Sequence, residues 1–281
     1  MTTETNRIDR RFAELAESGR KGLIPYVTAG HPHPDATVPV LHALVEAGAD
    51  LVELGVPFSD VMADGPVIQD ACQVALEHGT SMDRVFDLVR AFRENDSRTP
   101  LILMGYMNPI ERRGFERFAG QAAEAGADGV LIVDCPVDES EETTEAFQVH
   151  GLHQIFLVAP TTTESRLAHL APSAGGFVYY VSLKGVTGSA SLDAGSLRPA
   201  IGRLRAASTL PVAVGFGIST ADQAREVSEV ADAVVIGSAL VRRLADAGSP
   251  EQAVAIASEF LRPVRSALDA RADIAEGAVN A

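Results

Sequence analysis

Residues 23–54 read LIPYVTAGHPHPDATVPVLHALVEAGADLVEL, and this stretch holds one complete strand–helix–strand unit. The runs Leu23 to Thr28 and Leu51 to Leu54 are short and rich in apolar residues, as strands covered on both faces should be. Between them, Ala36 to Ala47 spaces its apolar residues at the helical repeat. The same alternation continues along the chain. Strands are predicted over Leu101 to Gly105, Gly129 to Val133, Gln154 to Val158, Phe177 to Val181, Val212 to Val214 and Ala233 to Ile236. Helices are predicted over Met82 to Glu94, Phe115 to Ala125, Glu139 to His150, Leu197 to Ala206 and Ala221 to Val230. Arg7 to Glu17 forms an extra N-terminal helix that can cover a barrel floor, and Pro250 to Arg271 closes the series. Eight βα units without an evident linker predict an α/β fold, a single (β/α)8 TIM barrel over 1–281 with its core from about 11 to 265. Gly215 to Gly217 gives Gly-x-Gly late in the chain and without a third glycine, so an open dinucleotide-binding sheet is not indicated.

The formal charge of −15 comes from 38 acidic and 23 basic residues, a field that repels nucleic-acid phosphates and anionic membrane surfaces. No run approaches the apolar length of a membrane span, and Met1 to Arg11 is too polar for a signal peptide, so a cytoplasmic protein is expected. Cys72 and Cys135 lie in different elements and form neither a disulfide framework nor a zinc pattern. The histidines of His31-Pro32-His33-Pro34-Asp35 read as a polar, proline-rich loop rather than a metal site. The two lysines are Lys21 and Lys184.

Active sites of such barrels gather at the carboxyl ends of the strands. Glu53 interrupts an apolar strand, where an ionised carboxylate is costly to desolvate. It is either an acid paired with arginine or backbone amides, or a functional group of perturbed pKa. Asp64 follows eleven residues later in a loop able to reach the barrel mouth, although Asp64-Gly65 is also an ordinary turn pair. Two such carboxylates can take different roles if burial raises one pKa while the other stays solvated and ionised. Glycines cluster after the last three predicted strands: Gly185 to Gly188, Gly215 to Gly217, and Gly237 beside Ser238. Backbone amides there can approach a phosphate, and a helix starting at Ser238 adds its dipole, whereas each glycine alone could serve a tight turn. Asp134 reads as a hydrogen-bonding structural acid and Cys135 as a packed thiol. Tyr179 and Tyr180 are adjacent, so one faces the lumen and the other the helices; periodicity does not say which.

The segments Leu54-Gly55-Val56-Pro57-Phe58-Ser59-Asp60, Ala63-Asp64-Gly65-Pro66 and Ile68-Gln69 closely resemble the tryptophan synthase α subunit family. The likeness runs from about Arg11 to Val264 and includes Ile24-Pro25-Tyr26-Val27-Thr28-Ala29-Gly30, Tyr106-Met107-Asn108-Pro109, Gly185-Val186-Thr187-Gly188 and Gly215-Phe216-Gly217-Ile218-Ser219. The resemblance implies a lyase that splits indole-3-glycerol phosphate into indole and glyceraldehyde 3-phosphate, with Glu53 and Asp64 as catalytic carboxylates and Tyr179 beside Glu53. It implies phosphate binding by Gly188, Gly217, Gly237 and Ser238, and an apolar indole slot. By position, Phe216, Leu131, Leu157 and Met104 are candidates for the walls of that slot. It also implies an α2β2 complex with a β subunit, coupled through the loop carrying Pro57, Ser59 and Asp60 and the loop after strand six.

The chemistry agrees with the resemblance. Retro-aldol cleavage needs a proton for indole C3, a base for the neighbouring hydroxyl and an anion beside the indole nitrogen; two carboxylates supply all three without metal, cofactor or covalent adduct. Three residues depart from the family pattern. Val61 replaces a usual proline, His31 a usual aspartate, and Lys184 a small or polar residue. Valine at 61 is expected to leave the loop freer than proline would. A Schiff-base aldolase using Lys184 and a non-catalytic activator of a β subunit are the rival readings. Lys184 sits among glycines that do not favour its burial, and both carboxylates are present.

Overall fold

The computed structural model describes residues 5–181, 194–215 and 217–279. Strands β1 (Gly22–Thr28), β2 (Val52–Gly55), β3 (Leu101–Gly105), β4 (Gly129–Ile132), β5 (His153–Val158), β6 (Val178–Val181), β7 (Val212–Gly215) and β8 (Ala233–Ile236) run parallel in sequence order and close into a barrel. Closure is made by β1 and β8, with Ile24 opposite Val235. The helices are α1 (Arg7–Glu17), α2 (Thr37–Glu46), α3 (Pro66–Glu77), α4 (Met82–Arg93), α5 (Met107–Arg113), α6 (Phe115–Ala125), α7 (Glu141–Val149), α8 (Glu164–Ser173), α9 (Ala194–Ala207), α10 (Ala221–Val227), α11 (Ser238–Leu244) and α12 (Pro250–Val279).

Side-chain alternation divides the interior into two layers. Val52, Leu54, Leu103, Val130, Ile132, Tyr180, Val214 and Ile236 point outward and pack under the helices. Ile24, Leu51, Ile102, Leu131, Ile155, Phe177, Tyr179, Ala213, Ala233 and Val235 fill the lumen. This settles the adjacent tyrosines: Tyr179 is the lumenal one. The N-terminal helix α1 stoppers the floor with Ile8, Phe12 and Leu15, and the Phe12 ring lies 5.6 Å from that of Phe177. Asn6 starts that helix by accepting the Ile8 amide on its side chain, satisfying one of the end donors that a helix cannot pair internally.

Three aspartates stitch the amino-terminal rim. Asp50, Asp128 and Asp232 each precede a strand, and each binds the neighbouring strand twice. The Asp128 amide donates to the Leu101 carbonyl (2.9 Å) while the Leu101 amide donates to Asp128 Oδ2 (2.8 Å). Asp50 does the same with Leu23, at 2.9 and 3.0 Å, and Asp232 with Val212, at 2.8 and 2.9 Å. Arginine completes each arrangement: Arg265 on Asp50, Arg7 and Arg93 on Asp128, and Arg205 on Asp232. These bonds lie at the end of the barrel associated with stability, leaving the opposite end for the loops that carry chemistry.

Candidate active site

Glu53 occupies the middle of β2, in register with Tyr26 on β1 and Ile102 on β3. Its neighbours Val52 and Leu54 belong to the outer layer, so its own side chain enters the lumen, where it is 1% exposed. Among the described residues, Glu53 Oε1 is buried without a hydrogen-bond partner, and burial drives the carboxyl pKa up to about 8. Among the described residues neither an arginine nor a backbone amide pairs with Glu53, which favours the alternative of a functional group of perturbed pKa; Glu53 rests protonated at neutral pH.

Asp64 sits at the mouth, in the segment joining β2 to α3. Its Oδ2 accepts from the Tyr106 hydroxyl at 2.7 Å, and its backbone carbonyl accepts from Gln69 Nε2 at 2.8 Å. Burial raises its pKa, and the Tyr106 hydrogen bond opposes that rise. The sequence expectation of a solvated acid is thus modified: Asp64 is only partly exposed and a phenol donates to it. Burial raises the pKa of the Tyr26 and Tyr179 phenols well above the usual value, and the nearby Glu53 and Asp64 carboxyls add to the rise, so both remain hydrogen-bond donors.

The tyrosines fit because glycines face them. A Cβ on Gly55 would collide with the Tyr26 hydroxyl and lie 2.6 Å from its Cζ, and a Cβ on Gly215 would collide with the Tyr179 hydroxyl and lie 2.7 Å from its Cζ. Tyr26 also shares a 3.1 Å hydroxyl–hydroxyl bond with buried Thr28. Tyr26, Thr28 and Tyr106 were not singled out from sequence as site residues, although lumenal alternation from Ile24 and the end of β3 point to them.

The remaining candidates fall as follows. Met104 and Leu157 line the lumen partly exposed, whereas Leu131 is wholly buried in the lumenal cluster with Ile102 and Ile155. Gly237 is the N-cap of α11 and Ser238 its first residue, as anticipated; Gly217 is exposed and has φ of +82°. Gly188, Phe216 and Lys184 lie outside the described residues. In the segment after β2, Pro57 is buried while Ser59 and Asp60 are exposed. Val61 is 6% exposed and packs with Ile68, Cys72 and Tyr106, so this valine tethers the loop by apolar contact where the sequence suggested greater freedom. Asp134 accepts from the Met107 amide at 2.7 Å, a structural bond at the start of α5.

This geometry, two acids above a plugged barrel, meets an independent line of comparison. A family model described as tryptophan synthase alpha chain matches residues 12–269. The chain belongs to the tryptophan synthase alpha chain family. The alpha chain of Thioalkalivibrio sulfidiphilus is 55% identical over 265 residues, covering 94% of this chain and 100% of that one. The alpha chain of Laribacter hongkongensis is likewise 55% identical with the same coverage. Among solved structures, tryptophan synthase subunit alpha from Legionella pneumophila superposes with a TM-score of 0.88 at 43% identity, covering 95% of this chain and 99% of its own. Mycobacterium tuberculosis tryptophan synthase gives 0.84 at 34% identity, covering 94% and 99%. As a tryptophan synthase alpha chain, the protein is a carbon–carbon lyase of tryptophan biosynthesis that cleaves indole-3-glycerol phosphate. The family name also implies a beta-subunit partner. Among the described residues no helix is long and apolar enough to cross a membrane.

Proposed function

We propose that Glu53 carries the reacting proton and Asp64 the developing positive charge, within one barrel domain that works in the cytoplasm as part of an α2β2 assembly. The observation that carries this reading is the contrast between the carboxyls: Glu53 is buried with its Oε1 unpartnered among the described residues and holds its proton to about pH 8, while Asp64 is offered a phenolic donor. Protonated Glu53 donates to indole C3. Positive charge then develops at the indole nitrogen, where ionised Asp64 holds the N–H and stabilises the iminium. The Glu53 carboxylate next accepts the proton of the side-chain hydroxyl as the carbon–carbon bond breaks. The electron pair of that bond returns to the indole ring, and glyceraldehyde 3-phosphate forms with its new aldehyde. Glu53 ends protonated, as it began, so the cycle balances without an external proton.

Tyr179 packs beside Glu53, and Met104, Leu157, Leu131 and Phe216 are assigned to the indole slot. The two partly exposed residues, Met104 and Leu157, offer direct contact; buried Leu131, in register with Met104, packs in the same lumenal cluster. Backbone groups of Gly188, Gly217, Gly237 and Ser238 are assigned to the substrate phosphate, supported by the start of α11 at Ser238 and the open backbone at Gly217. Pro57, Ser59 and Asp60 are assigned to coupling with the β subunit, a role that suits the exposure of Ser59 and Asp60 in the same segment as Asp64, with buried Pro57 anchoring its start. The roles are tested by single-turnover indole release: Glu53→Gln and Asp64→Asn should both fold and both lose turnover. Near wild-type release by Glu53→Gln defeats the proton-carrier assignment.

A further inference from the structure

Tyr106 ends the lumenal path of β3 and is the N-cap of α5; it is 3% exposed. Its single hydroxyl does two things at once. It donates to Asp64 Oδ2 at 2.7 Å and accepts from the Ala63 amide at 3.2 Å. Its ring lies 5.9 Å from that of Phe58 and packs with Val61. The phenol therefore grips the β2–α3 segment through its backbone, through two apolar side chains and through the carboxylate itself.

We infer that Tyr106 is a positioning residue, a clasp that makes delivery of Asp64 and closure of the 57–64 segment one event. The inference rests on Asp64 acting as the charged partner of indole. The coupling follows from the valence of the hydroxyl: one proton is given to Asp64, and its oxygen receives the Ala63 proton. An ionised Asp64 keeps that orientation, whereas a protonated Asp64 no longer needs the phenolic proton and weakens the grip on the backbone. The groups facing Asp64 reinforce the point. Glu53, Tyr26, Tyr179 and Cys72 provide no cation, and Asp134 adds negative charge near Tyr106. Among the described residues, Tyr106 is the side-chain donor to this acid. Burial alone would push Asp64 further toward its neutral form, which cannot stabilise an indole cation.

The test is indole release from indole-3-glycerol phosphate across pH by the full chain, with and without its β subunit. Wild type is compared with Tyr106→Phe, which deletes the hydroxyl and keeps the ring against Phe58. Loss of a hydrogen bond to a charged group should lower kcat about 10- to 100-fold. The substrate KM should move much less, and the acid limb of the profile should shift to higher pH because Asp64 becomes harder to ionise. Replacing Tyr106 by 3,5-difluorotyrosine keeps the shape and strengthens the donor, so it should move the acid limb to lower pH. That second substitution reads the same bond if Tyr106→Phe folds poorly. An unchanged kcat and acid limb in both proteins would overturn the clasp. Glu53→Gln in the same assay separates the two failures: if it is inactive while Tyr106→Phe behaves as wild type, only the clasp is wrong, and if it is active, the underlying site reading is wrong.

Discussion

Asp128 and Leu101 exchange two hydrogen bonds, amide to carbonyl and amide to carboxylate, at the start of adjacent strands. Because Arg7 and Arg93 both lean on the same carboxylate, its removal strands one buried amide and two guanidiniums. Asp128→Ala should therefore lose on the order of 3 kcal/mol in urea unfolding. Asp232→Ala likewise strands one amide, that of Val212, next to a half-exposed Arg205, and should lose only about 1 kcal/mol. Indole release per folded molecule should be unchanged in both, since these residues lie at the far end of the barrel. Equal losses in the two variants would show that the arginines contribute nothing.

Glu53 should cost the protein stability in order to serve chemistry. Its folded pKa of about 8 exceeds the ordinary glutamate value of 4.5, so the folded state holds a proton that the unfolded chain releases. Stability contributed by that proton is fully present below the unfolded value and is lost as pH rises toward about 8. Glu53→Gln removes the titration. Its melting temperature should match wild type near pH 4 and exceed it at pH 8, by the equivalent of roughly 4 kcal/mol. Melting curves that keep the same separation at both pH values would show that Glu53 is solvated.

The same carboxyl should shape activity. In the free enzyme, kcat/KM for indole-3-glycerol phosphate should fall as pH rises through about 8, because the proton donor is then lost. At the acid end it should fall as Asp64 takes up a proton, at a pH above the ordinary aspartate range because burial outweighs its hydrogen bond. Steady-state rates of the isolated chain between pH 5 and pH 9 check both limbs (roughly the span over which such groups titrate). A flat alkaline side would remove Glu53 from the role of donor.

Gly237→Val offers a clean examination of the phosphate assignment. Its φ of −117° is not left-handed, although ψ of −87° falls outside the regular α and β regions and puts some strain on a branched residue, and a Cβ there meets Tyr26 at an ordinary 3.5 Å. The fold should survive while the branched side chain crowds the backbone approach, weakening glycerol phosphate and substrate together by about 10-fold or more. Gly217→Val is less informative, since φ of +82° strains any branched residue before a ligand arrives. Isothermal titration with glycerol phosphate decides the matter: unchanged affinity in folded Gly237→Val puts the phosphate elsewhere.

The barrel was legible because its strands are buried on both faces and so appear as apolar runs from Leu23 to Ile236. Less visible was α3. Asp64-Gly65-Pro66 read as turn chemistry, yet Gly65 is an N-cap with Pro66 in the first turn, and Ile68, Ala71, Cys72 and Ala75 are its buried face. Helices α5 and α8 were not predicted either: α5 carries Pro109 inside its seven residues, and α8 carries Pro172 near its end. At the site, Glu53 stood out as a lone acid in an apolar strand. Tyr106 did not, because its importance is a matter of the 42 positions separating it from Asp64, a closeness that only the register of β2 against β3 creates.

The tyrosine–glycine contacts carry a consequence for descent. Gly55 and Tyr26 share one small volume across two strands, and Gly215 and Tyr179 share another, so neither member of a pair can drift alone. A lineage acquiring alanine at 55 must first, or at once, shrink residue 26, and phenylalanine does not suffice because the ring itself is already within 2.6 Å of the incoming methyl. The two positions should therefore co-vary among relatives as large–small or small–large, with intermediates depleted. Within a single protein the same constraint is a ratchet: Gly55→Ala should be crippling by itself and substantially restored by Tyr26→Leu, leaving a lumen of the same volume but a different outline. Such an exchange reshapes the interior without touching either acid, and it offers natural variation a two-step route from one indole outline to another.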